Sequence, residues 1–185
     1  MSVESIELET RLEEDAIRRI VREELESHSQ TDPGVNGINL IASKGTLDWA
    51  YPPLILSTTA AALGMEASIF FTFYGLNIIH KQHAKKLKIS PVGNPAVPMP
   101  DIVTVLPGMQ ALATKMMNRQ FKQKNVSTID DLLGVAQEFG VKLIGCQMTL
   151  DSFGYKQSDF IDGVEFGGAA AFLSTARRSN ISLFV

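Results

Sequence analysis

From residue 38 onward, short β-prone apolar runs alternate with longer stretches of helical periodicity, a pattern that predicts βαβ units around a mostly parallel sheet. Residues 38–42 predict the first strand, 49–63 a helix and 67–73 the second strand. Residues 102–106 form a third apolar run, followed by helices over 109–118 and 129–139 and a strand at 141–144. A helix from about residue 168 to 176 and a strand at 181–185 complete the series. No internal repeat is visible. The segment LKISPVGNPAVPMPD carries four prolines, Pro91, Pro95, Pro98 and Pro100, and predicts a long loop of the kind that often serves function in compact domains.

The first 27 residues follow a different pattern. Leu12, Ile17, Ile20, Val21 and Leu25 recur at helical spacing among nine acidic and four basic residues, net −5, and predict an amphipathic helical arm. The remaining residues carry net +2, for a total of −3. HSQTDPGVNG, residues 28–37, has linker composition and separates this arm from an α/β domain spanning 38–185. The apolar stripe of the arm folds back on its own domain or exchanges with a neighbouring subunit, and the sequence does not choose. With 185 residues, 45% of them hydrophobic and 20% charged, the chain is long enough for a packed core without staples. From Trp49 to Ile79 the only charge is Glu66, but Pro52, Pro53, Gly64 and the hydroxyls of 57–59 break the run. It reads as a buried helix and a buried strand, with no membrane span expected. The N-terminus lacks the basic start and apolar core of a signal peptide, and a single cysteine suits a reducing compartment, so a cytoplasmic location is expected.

Parallel sheets of this kind place ligands beyond the carboxyl ends of their strands. The segments leaving those ends are 43–53, 72–77, 107–110 and 145–149. The lone cysteine, Cys146, falls in the last of them, at the first turn of a following helix, where unpaired N–H groups and the helix dipole favour a thiolate. Gly145 is expected to let the backbone turn just before it. Other catalytic signals are weak. There is no GxGxxG, Walker loop, GxSxG or HExxH, so no cofactor is expected. His80 and His83 have a metal-compatible spacing but lie among lysines with no acidic or thiolate ligand nearby, and no metal site is expected. The lysines of 81–88 and 115–124 lack interleaved aromatics apart from Phe121 and read as solvated helix faces rather than a nucleic-acid surface.

The blocks SKGTLDWAYPPLILSTTAAALGMEASIFFTFYGLNII and GCQMTLDSFGYKQSDFIDGVEFGGAAAFL, with the closing ISLFV, resemble the DsrE/DsrF/DsrH-like sulfur-transfer family. The likeness runs from about residue 36 to 185 and is strongest to the stand-alone, single-domain DsrE-like branch, whose pattern has Met-Gly where this chain has Phe153-Gly154. The resemblance implies a flavodoxin-like (Rossmann-like) α/β domain with helices on both faces, assembly into homo-oligomers, and sulfur carried as a persulfide on Cys146. It also implies small sulfur-carrier or rhodanese-like proteins as partners. With no second cysteine to resolve a disulfide, the expected cycle is acceptance of sulfane sulfur by Cys146 and transfer to the thiol of a partner. The persulfide anion needs donors or a cation, for which Gln147, Met148 and Thr149 at the helix start and Lys44 or Thr46 after the first strand are candidates. Trp49, Tyr74, Met99, Met109 and Met148 are candidates for a soft apolar lining. Two other function classes stay open: a non-catalytic oligomeric assembly subunit of a sulfur-relay complex, and a small-molecule-binding protein on the same fold.

Overall fold

The computed structural model of the protein describes residues 36–90 and 108–185, together with Arg19. The chain divides into two units, Met1–Val35 and Asn36–Val185. The expected arm, apart from Arg19, most of the expected linker and the apolar run at 102–106 lie outside the described residues. Gly37, assigned above to the linker, opens the first strand.

Five strands form one parallel sheet in the order β4-β3-β2-β1-β5. They are β1 (Gly37–Ala42), β2 (Glu66–Phe71), β3 (Lys142–Cys146), β4 (Val164–Gly167) and β5 (Ile181–Phe184). The described helices are α1 (Leu47–Ala62), α2 (Leu76–Ile79), α3 (Met109–Gln123), α4 (Ile129–Glu138), α5 (Gln147–Phe153) and α6 (Ala169–Ala176). The architecture is the α/β fold that the alternating pattern predicts, with helices on both faces of the sheet.

Ile38, Leu40 and Ala42 of β1, Ile69 and Phe71 of β2 and Leu143 of β3 alternate onto one face and are buried in a single core with Leu54 of α1 and Leu133 of α4. Each fully buried side chain of this size contributes about 1.5–3 kcal/mol. The other face carries a smaller cluster of Phe70, Ile144 and Cys146, packed against Ile41 and against Phe172 of α6. The rings of Phe70 and Phe172 lie 5.3 Å apart.

Several elements differ from expectation. The strand expected over 67–73 stops at Phe71, because Phe73 adopts φ 47° and turns the chain into a short 3-10 turn, Phe73–Gly75. Strand β4 was not expected at all: VEFG is only four residues long, is flanked by Gly163 and Gly168, and forms an edge strand on β3. Helix α1 begins two residues earlier than expected and accommodates Pro52 and Pro53 in its interior, where prolines remove two helical N–H donors. Helix α4 starts with a reciprocal cap in which Thr128 Oγ1 accepts from the Asp131 N–H at 3.2 Å and the Asp131 carboxylate accepts from the Thr128 N–H at 3.0 Å. Among the described residues, no helix is long and apolar enough to cross a membrane.

Candidate functional site

Cys146 ends β3 and directly precedes α5, with only 5% of its surface exposed. Pairing of Phe71 with Gly145 brings Thr72, the residue after β2, level with the cysteine on one side, and Gly167 of β4 pairs with Cys146 on the other. Gly145 serves space rather than a sharp turn. Its φ is not in the left-handed region, and a Cβ there would come within 2.7 Å of the Phe166 ring. A second close approach fixes the neighbouring loops: side chains at Gly75 and Gly45 would collide with the backbone carbonyls of Ala42 and Tyr74 respectively. The Gly75 N–H donates to the Ser43 carbonyl at 3.1 Å, tying the ends of β1 and β2 together.

The thiol lies among donors. Burial acts to raise its pKa, but hydrogen bonds from the Thr149 hydroxyl and N–H, the Thr72 hydroxyl and the Met148 N–H outweigh it and hold the thiol below its ordinary value. Thr149 is itself buried, at 2% exposure. Its Oγ1 accepts from the Phe73 N–H at 3.2 Å and lies 3.4 Å from Thr72 Oγ1. Phe73 itself adopts a left-handed backbone, a conformation that costs a non-glycine residue about 1–3 kcal/mol.

The other candidates are distributed more widely. The N–H of Met148 is among the thiol's donors, while its side chain is exposed. The Gln147 side chain donates to Asp151 Oδ1 at 2.8 Å and accepts from Gln157 Nε2 at 3.5 Å. Lys44 stacks its ammonium 3.3 Å from the centre of the Trp49 ring, and both line a cleft beyond β1 with Thr46, Asp48, Tyr74 and Asn77. Cys146 is not among the residues lining that cleft. Met109 opens α3, and Met99 lies outside the described residues.

The two histidines form a packed pair. The His80 and His83 rings stack at 3.9 Å beside Tyr155, and His80 Nδ1 accepts from the Gln82 N–H at 3.1 Å. Burial, reinforced by the neighbouring His83, lowers the pKa of His80. Among the described residues, no group of three or more metal-ligating side chains comes together. Thr72 is the site residue that the sequence reading did not single out. Its segment, 72–77, was recognised as a strand-end loop, but only strand register brings its hydroxyl to the thiol.

The fold and site define a parallel α/β domain that presents a single cysteine at a strand end, with no second thiol in the chain. A profile of the DsrE/DsrF/DrsH-like family matches residues 35–184. The chain belongs to that family. It is 49% identical over 154 residues to the "Sulfur carrier protein DsrE2" of Allochromatium vinosum, covering 79% of this chain and 96% of the relative. It is also 31% identical over 151 residues to the "Uncharacterized protein YrkE" of Bacillus subtilis, covering 79% of this chain and 94% of that one. Among solved structures, the ychN protein of E. coli aligns over 81% of this chain and 99% of its own, at 12% identity and a TM-score of 0.47.

Proposed function

We propose that the protein is a sulfur carrier that holds sulfane sulfur on Cys146 as a persulfide and passes it to the thiol of a partner protein. The observation that carries this reading is the donor cradle of Thr72, Met148 and Thr149 around a nearly buried thiol, which outweighs the effect of burial. The naming of a 49% identical relative as a sulfur carrier supports it.

The chemistry balances without a cofactor. The Cys146 thiolate attacks the outer sulfur of a donor persulfide R–S–S⁻; the new S–S bond forms as the donor's S–S bond breaks, and R–S⁻ leaves. The product, Cys146–S–S⁻, carries one extra sulfur atom and the same charge. An acceptor thiolate then attacks the outer sulfur, takes it as R′–S–S⁻ and regenerates the Cys146 thiolate. Donors arranged for the thiolate also suit the persulfide anion, whose negative charge sits one sulfur further out.

The surroundings support transfer to a protein. Phe73, Tyr74, Met148 and Phe153 are exposed apolar side chains on the segments that flank the thiol, and the Tyr74 and Phe153 rings lie 5.8 Å apart. Such a patch suits a partner that delivers its thiol through an apolar surface, as small sulfur-carrier or rhodanese-like proteins would. Assembly into homo-oligomers belongs to the same reading, supported by the exposed Leu173 of α6 and Leu183 and Phe184 of β5.

Intact mass after exposure to a sulfane donor tests the proposal. The wild type should gain one or more sulfur atoms that reductant removes, and Cys146→Ala should gain none. No gain on the wild type, with Cys146 inert to alkylation in the folded state, would leave a family fold without its sulfur chemistry.

A further inference from the structure

The sheet face beneath α6 carries a feature that the sulfur chemistry does not use. Asn39 pairs with Ser182 on β5 and with Ser68 on β2, and Ser68 pairs with Lys142 on β3. Paired residues of a parallel sheet project to the same side, so these four side chains form one polar row across four strands. The next row on that face, Phe184, Ile41, Phe70 and Ile144, is apolar. Asn39 is 0% and Ser68 2% exposed, yet among the described residues neither carboxamide atom of Asn39 nor the Ser68 hydroxyl has a hydrogen-bond partner. Buried polar groups are almost always paired, and a cluster of unpaired ones marks a place where something else supplies the bonds.

A cavity of about 320 Å³ opens beside Ser68 and is also lined by Glu66, Lys142, Thr175 and Arg178. Glu66 lies two residues before Ser68 on β2 and so leaves the sheet on the same face. Lys142 is held by Glu165 at 3.0 Å. Among the described residues, neither Glu66 nor Arg178 makes an ion pair, with each other or with anything else. A carboxylate and a guanidinium thus share one small cavity without meeting, beside the unpaired Ser68 hydroxyl.

We propose that this cavity binds a free zwitterion of amino-acid size, its ammonium on Glu66, its carboxylate on Arg178 and Lys142, and its remaining hydrogen bonds completed by Ser68. A simple anion fits less well because Glu66 would repel it, and the volume exceeds the roughly 30 Å³ that one water occupies in the liquid. The site stands at the amino-terminal edge of the sheet. Lys142 and Cys146 are the two ends of β3, about 13 Å apart along the strand, so the proposal is independent of the persulfide reading.

NMR titration of the full chain with L-alanine, propionate and ethylamine tests it. The proposal predicts saturable shifts for L-alanine centred on Ser68, Lys142 and the end of α6, with the two singly charged analogues binding about tenfold or more weakly. Glu66→Gln and Arg178→Gln, at exposed side chains whose loss leaves the fold intact, should each weaken L-alanine by a similar factor, whereas Cys146→Ala should bind it like the wild type. Absence of saturable L-alanine binding would mean that water alone serves the polar row and would overturn the proposal. Propionate binding as tightly as L-alanine, or affinity undiminished in both charge variants, would overturn it as well.

Discussion

On the sheet face under α1 and α4, Leu40, Leu54, Ile69, Phe71 and Leu143 are at most 1% exposed and form one continuous apolar core. On the face under α6, the buried set is Phe70, Ile144 and Cys146, next to the unpaired Asn39 and Ser68, and α6 has no buried residue of its own. The first face supplies stability through burial. The second gives up part of that burial and keeps a thiol, a polar row and an exposed apolar helix. One sheet thus separates a tightly packed face from a sparsely packed one that holds the proposed site, with each strand contributing alternate residues to each.

The largest effect should come from breaking the first face. Leu54→Ala, at a fully buried position, is expected to destabilise the fold by about 2–5 kcal/mol in denaturant titration, while the alkylation rate of Cys146 in the folded protein stays as it was. A parallel loss of thiol reactivity in the folded fraction would show that the two faces are not separable in this way.

Next comes the donor cradle. Thr149→Val removes the hydroxyl facing the thiol and strands the Phe73 N–H, so it should cost about 1–3 kcal/mol of stability and raise the thiol's pKa. Thr72→Val removes a single donor and should do the same to a smaller degree. Unchanged pH dependence of alkylation in both variants would refute the cradle.

Proton linkage gives two smaller effects of known sign. The folded pKa of Cys146 is depressed, so its contribution is complete above the unfolded value of about 8.5 and is lost as pH falls through the folded pKa. Wild type should therefore gain stability over Cys146→Ser as pH rises through that window. The folded pKa of His80 is also depressed, so stability should fall as pH drops below about 6.5. His80→Asn, which keeps an acceptor for the Gln82 N–H, should lose that acid sensitivity. At the bottom of the scale, Leu173→Ser on the exposed side of α6 should shift monomer stability by no more than about 0.5 kcal/mol.

What could be read from the chain follows from what is local. The apolar runs of β1 and β5 and the KLIGC run of β3 mark strands by composition, and a cysteine between such a run and a helix marks a strand end. β4 escaped because four residues containing Glu165 and Gly167 acquire their strand character only from pairing with β3. Thr72 escaped because its role depends on the register of β2 against β3, which no local pattern encodes. Gly145 was singled out for its backbone freedom, whereas the Phe166 ring beside it explains the need for a residue without a side chain. The unpaired pair of Asn39 and Ser68 was equally hidden, since each looks like an ordinary polar interruption within a strand.

The most direct measurement is the pH profile of Cys146 alkylation in the folded wild type beside Thr149→Val. A midpoint below the ordinary cysteine value of about 8.5 in the wild type, displaced upward in the variant, is the predicted result. A wild-type midpoint at or above that value, unmoved by the substitution, would contradict the claim that this strand end is built to hold a thiolate.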